Sequence, residues 1–152
     1  MSLESVRAFF RAYAPDIEVI ETERSSATVE LAAAAHGVEP AQIAKTICLS
    51  VSGRTVLVVT AGTARLDNRK IKDTFSGKGK MLDPEQVLAV TSHPVGGVCP
   101  FGLPSPLPIY CDLSLRRFAE VVPAAGSGNS AVRITPERLA ELTDAVWVDV
   151  CR

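Results

Sequence analysis

The chain predicts a single α/β domain built on a mixed sheet, and three observations carry that reading. Its 152 residues suffice for one domain with a sizeable core. Two strand-like runs, Gln42 to Val51 and Thr55 to Ala61, flank the two-residue turn Ser52-Gly53. Helical and strand-like segments interleave along the chain without a regular βαβ rhythm, which points to a mixed sheet rather than a doubly wound one.

The elements follow in order. Leu3, Val6, Phe9, Phe10 and Tyr13 form one stripe of a first helix, with Ser2 as its cap and Pro15 beyond its end. Asp16 to Glu21 reads as a short strand. A second helix begins at a cap near Ser26, carries Val29 and Leu31 to Ala33, and stops at Gly37. Pro40 opens a helical turn that leads into the first long strand. Leu66 to Phe75 reads as a third helix capped by Asp67, and Ser76 to Lys80 as a flexible interruption. Asp83-Pro84-Glu85-Gln86 starts a fourth helix: Asp at the cap, Pro at the first helical position, Gln three residues after the cap. His93 to Pro108 is too rich in Gly and Pro for a helix or a central strand, and its apolar residues favour an ordered loop. Strands are expected at Ile109 to Asp112, near Val121-Val122, at Ala131 to Ile134 after the turn at 126–129, and at Ala145 to Val150. Thr135-Pro136 starts the last helix, to about Leu142.

Composition excludes several function classes. Hydrophobic residues make up 47% and charged residues 22%, so the chain is globular rather than disordered. Aromatics are 5%, which leaves Val, Leu, Ile and Ala to build the core. A net charge of −1 argues against a generally cationic coat and leaves room for a local basic patch. The cysteines, at 48, 99, 111 and 151, include no Cys-x-x-Cys pair, and the histidines are His36 and His93. Metal-ligand spacing is absent, and neither a metal nor a cofactor is expected. Thiols used this way fit a reduced, cytoplasmic protein. Met1-Ser2-Leu3-Glu4 does not read as a secretory leader, and no apolar run approaches ~18 residues, so no membrane partner is expected.

Lys45 breaks the pattern of its strand. Side chains two apart share a face, so Lys45 shares one with Ile43, Ile47, Leu49 and Val51. A charge on an apolar face either snorkels out at the strand start or lines a wet pocket. Gly96-Gly97-x-x-Pro100-x-Gly102 is the second candidate. Its backbone N–H groups can cradle an anion or a carbonyl, or its glycines simply satisfy a loop. The third is the stretch holding Arg65, Arg69, Lys70, Lys72, Lys78 and Lys80, six of the 16 basic residues. It reads as a phosphate-contacting patch or as an ordinary solvated helix face. There is no Gly-x-Ser-x-Gly elbow. His36 reads as a helix-end residue, His93 stands at the loop entrance, and Asp112, Asp144 and Asp149 read as caps or turn residues.

Gln42-Ile43-Ala44-Lys45-Thr46, followed by Gly96-Gly97-Val98-Cys99-Pro100-Phe101-Gly102-Leu103, resembles the YbaK/ProX family of aminoacyl-tRNA deacylases, itself similar to the editing domain of bacterial prolyl-tRNA synthetases. Thr28 to Ala33 and Ile134 to Ala145 support the resemblance, which runs from about residue 16 to 150. It implies one domain with a curved, barrel-like mixed sheet flanked by helices. It also implies hydrolysis, in trans, of the ester between a wrong amino acid and the terminal adenosine of tRNA. Lys45 matches the family's essential lysine, and Gly96-x-x-x-Pro100 its glycine loop. On this reading Lys45, Gly96 and Gly97 serve catalysis, by holding the ester for attack by water. Thr28, His93, Pro100, Gly102, Gly128 and Asn129 are candidate substrate contacts. Arg69, Lys70, Lys78 and Lys80 are candidate tRNA contacts. Misacylated tRNA is the expected partner, with an aminoacyl-tRNA synthetase as a second. Gly126-Ser127-Gly128-Asn129-Ser130 departs from the Ser-Gly-Gly-Lys-Arg-Gly of several members, so the amino acid removed stays open. The alternative from another class is a non-catalytic module that binds aminoacyl-tRNA or a nucleotide.

Overall fold

The computed structural model describes residues 2–152. Helices α1 (Ser2–Tyr13), α2 (Val29–His36), α3 (Asn68–Phe75), α4 (Pro84–Thr91) and α5 (Pro136–Thr143) surround a mixed sheet. Its path is β4 (Gly79–Met81), β2 (Ile43–Val51), β3 (Arg54–Ala61), β5 (Ile109–Asp112) and β8 (Val146–Val148), with β6 (Val122–Pro123) also paired to β2. β1 (Ile20–Glu21) and β7 (Ser130–Ala131) form a separate antiparallel ribbon. The sheet is open rather than closed into a barrel: β4 and β8 end its path.

Apolar runs in β2 and β3 are explained by burial of both faces. Ala44, Cys48, Leu57 and Val59 join the main core with Val6 and Phe10 of α1, Phe101 of the long loop and Leu139 of α5. Their strand neighbours Leu49, Val51, Val56 and Val58 face the other way, onto Ile71 of α3 and Val150. Each such fully buried Val or Leu contributes about 1.5–3 kcal/mol. Ile43 packs instead with Ala32 and Ala33 of α2 and with Val122.

Several boundaries differ from expectation, each for a local reason. The segment from Asp16 pairs only at Ile20 and Glu21, because Ile17 N–H turns back to the Ala14 carbonyl. The cap of α2 is Thr28, whose hydroxyl accepts from Leu31 N–H, while Ser26 bonds the Gly128 carbonyl instead. Ser2 lies within α1, and its hydroxyl donates to the Gly126 carbonyl. The expected flexible stretch at 76–80 contributes to a strand: β4 pairs antiparallel with Leu49–Val51. The strand expected over 131–134 is Ser130–Ala131, and the final one is Val146–Val148. Asp67 caps α3 and Asp83 forms a capping box with Gln86, as their spacing predicts.

The site is positioned by where strand pairing stops. β4 pairs with β2 only from Leu49 onward, and β6 pairs with it only through Ala44. The β2 edge over residues 45–48 therefore faces no strand.

Candidate functional site

A cavity of about 310 Å³ opens at that gap. One wall is β2 from Ile43 to Cys48; the others are Ser26 to Val29 leading into α2, Met81, Leu82, Pro84 and Val87 at the start of α4, and Val95, Gly96 and Val98 of the long loop. Val122, Ala124, Ser130 and Ala131 complete it. The lining is aliphatic and holds no Asp, Glu or His among the described residues. Met81 and Val95 are 66% and 65% exposed, so the mouth itself is apolar. Such a cavity accepts an uncharged group of modest size and leaves its polar recognition to a few fixed atoms.

Lys45 is the one cationic residue of that lining among the described residues, and it is half-buried. Its ammonium donates to the Ala64 carbonyl at 2.7 Å, in the turn that closes β3. Burial pushes its pKa below the ordinary lysine value, and Arg65 acts in the same direction. Of the two sequence alternatives, pocket and surface, the geometry places Lys45 in the pocket wall. Gly62 helps fix the turn behind it, because a Cβ there would lie 2.2 Å from the Pro40 carbonyl oxygen.

Gly96 lines the same cavity with φ +91°, and a Cβ on it would lie 2.8 Å from Ala27 Cβ. Backbone of this shape excludes larger residues by both conformation and space. Gly97 stands behind the loop: its N–H donates to the Pro94 carbonyl at 2.9 Å, and a Cβ would meet Ser127 N at 2.5 Å. That N–H is occupied in the turn, so Gly97 acts on the loop's shape.

The other candidates divide. Thr28 lines the cavity at the α2 N-terminus. His93, Pro100, Gly102, Gly128 and Asn129 lie outside the lining. His93 is 0% exposed, and its Nε2 lies 2.8 Å from the Phe101 carbonyl, tying the start of the loop to its middle. Burial lowers its pKa. Pro100 is buried, and Gly102, at φ +63°, lies against the Ser5 and Val6 backbone of α1. The Gly128 carbonyl anchors Ser26, and Asn129 donates to the Thr22 carbonyl, so both hold the segment that precedes α2. Arg69, Lys78 and Lys80 are exposed, while Lys70 is tied to Asp149 and the Cys151 carbonyl. Sequence reasoning missed Thr46, Met81 and Val95 as wall residues. Thr46 looked like an ordinary polar position on a strand, and the other two become a rim only through the β2–β4 pairing and the loop's path.

The fold and site together define an α/β domain with an open sheet, a mostly aliphatic cavity at a strand gap and one half-buried cation in its wall. The chain belongs to the aminoacyl-tRNA editing domain family, whose model matches residues 23–142. It is 47% identical over 154 aligned residues to the uncharacterized protein YwhH of Bacillus subtilis (strain 168), covering 100% of this chain and 98% of that one. A proline–tRNA ligase of Desulfovibrio desulfuricans is 30% identical over 138 residues, which span 90% of this chain and 23% of the ligase. Among solved structures, one described as a "putative trans-editing enzyme for prolyl tRNA synthetase" superposes with a TM-score of 0.92 at 32% identity, covering 99% of this chain and 97% of that one.

Proposed function

We propose that the chain hydrolyses, in trans, the ester linking a mismatched amino acid to the terminal adenosine of a tRNA. The observation that carries this reading is the single cavity in which Lys45 and Gly96 are both wall residues at an open strand edge. The similarity to proline–tRNA ligases favours a tRNA charged by a prolyl-tRNA synthetase, which would make that synthetase a functional partner. Free thiols are compatible with the reduced cytoplasm where such a substrate occurs.

Water attacks the ester carbonyl carbon, the bond to the ribose oxygen breaks, and that oxygen leaves with a proton as the free hydroxyl. With no carboxylate or imidazole among the described lining residues, the proton passes through water and the ribose hydroxyl of the substrate. Lys45 acts as a fixed cation. The Ala64 carbonyl takes one of its three N–H donors and orients the rest toward ribose, phosphate or carbonyl oxygens. The loop at Gly96 sets the ester against it, so orientation supplies part of the rate. Lys78 and Lys80, exposed just before Met81 of the rim, would receive the tRNA backbone.

The test is a panel of misacylated tRNAs scored for ester loss. Lys45→Ala is expected to lower the rate at least ~100-fold, the scale of removing one preorganised charge from a site, with the fold retained by circular dichroism. Full activity of Lys45→Ala on every ester would end this assignment. The absence of an acid or base among the described lining residues also suits a non-catalytic module. A protein that binds the charged tRNA 3′ end and hydrolyses no ester would establish that second reading.

A further inference from the structure

The β2 edge at the gap presents a specific set of peptide groups, and their direction follows from the ladder. In an antiparallel pair the N–H and C=O of one residue point to the same side, and successive residues alternate. Leu82 N–H donates to the Cys48 carbonyl at 3.2 Å, and Leu49 pairs with Met81 and Ser50 with Lys80. Ala44, Thr46, Cys48 and Ser50 therefore aim their peptide groups toward the β4 and β6 side, whereas Lys45 and Ile47 aim theirs at β3. Between the two flanking strands, the N–H and C=O of Thr46 and the N–H of Cys48 meet no backbone partner among the described residues. Independently, the Thr46 hydroxyl is buried with no hydrogen-bond partner, and Thr46 lines the cavity. Buried polar groups left this way ordinarily have a partner.

The gap fixes the size of that partner. Residues 45–48 span about 13 Å at ~3.3 Å per residue, and β4 and β6 stop any longer strand at both ends. We propose, on the editing reading above, that the aminoacyl group of the substrate occupies this gap as a single residue of β-strand. An aminoacyl ester has the same N–Cα–C=O skeleton as a strand residue. Opposite Thr46 it forms the two-bond antiparallel pair: its α-amino group donates to the Thr46 carbonyl, and its ester carbonyl accepts from Thr46 N–H. Backbone thus supplies affinity, as in strand addition to a sheet edge, whatever the amino-acid side chain. The same bond polarises the scissile carbonyl. The site therefore requires an α-amino donor, which a plain carboxylic ester lacks.

The test compares tRNA carrying alanine, the smallest chiral probe, with tRNA carrying propionic acid, its analogue without the amine. Each rate is divided by that ester's spontaneous hydrolysis, which removes intrinsic reactivity. Binding is read separately from the Thr46 and Cys48 amide signals by NMR, using 3′-deoxy-3′-(alanylamino)adenosine and its propionylamino counterpart. The expected result is acceleration at least ~10-fold greater for the alanyl ester, the loss of one hydrogen bond to a backbone group, with Thr46 and Cys48 shifts that saturate at lower concentration for the alanyl analogue than for the propionyl one, which keeps only the carbonyl acceptor. Equal acceleration of both esters overturns the inference and leaves the editing reading standing. Shifts at Thr46 with the alanyl analogue but no cleavage of either ester overturn the editing reading and keep the inference. No cleavage and no shift overturn both.

Discussion

His93 carries its ring proton on Nε2, because the Phe101 carbonyl 2.8 Å away can only accept. Removing that donor leaves the buried Phe101 carbonyl with only the weak Cys99 Sγ donor at 3.8 Å, so His93→Leu is expected to destabilise the protein by about 1–3 kcal/mol. His93→Gln can restore an N–H and should retain more stability, with urea midpoints as the measurement. Thr46 reverses the usual sign. Its hydroxyl is an unpartnered buried group, so Thr46→Val should leave the thermal midpoint unchanged or raise it, and deacylation should persist because the peptide groups facing the gap are retained. A destabilised Thr46→Val would mean that the hydroxyl has a structural partner. Lys45 was legible as an anomaly in the strand pattern. Its partner Ala64 was not, because a carbonyl carries no side-chain signature, and neither was the unsatisfied Thr46 hydroxyl.

β4 and the glycine loop are the elements whose contribution depends on what they approach. Lys78 and Lys80 flank Gly79 beside the cavity rim. Neutralising both to Gln should weaken tRNA binding and lower the slope of log affinity against log salt by up to ~2, about one for each phosphate no longer neutralised. An unchanged slope would make this strand an ordinary solvated surface. In the loop, Gly97→Ala forces a Cβ to within 2.5 Å of Ser127 N. It should reshape the wall at Gly96 and depress deacylation, whereas Gly53→Ala, at φ +77° in a hairpin with open space around it, should affect stability alone. The helices were readable because their caps are local: Asp67, Asp83 and Thr135 each bond a backbone N–H within three residues. Gly79–Met81 was missed, and the strand expected over Asp16 to Glu21 is shorter, at Ile20–Glu21, because the extent of such strands depends on a distant partner, not on their own propensity.

At the scale of the whole molecule, burial governs every titratable group in the interior that shifts upward. Cys48 is pushed up to about 11, and Cys99, Cys111 and Cys151 to about 12, chiefly by burial. None of the four thiols should react with a disulfide reagent at pH 8 in the native protein, and all four should react in denaturant. His36 and His93 shift the other way, both lowered by burial from 6.5. Below that pH the unfolded chain binds the protons first, so folding stability is present in full above pH 6.5 and declines as the pH falls toward their folded pKa values. Urea midpoints at about pH 7.5 and about pH 5.5, on either side of the unfolded histidine value, measure the decline, and His93→Gln should shrink it. By itself the sequence determined the α/β class, the capped helices, the β2–β3 hairpin and the misplaced lysine, all features set by neighbours a few residues apart. Only the tertiary structure decided that β4 and β6 each pair with part of β2 and leave residues 45–48 open. That gap is a statement about strands that meet from positions 43, 79 and 122, and no local pattern encodes where their pairing stops.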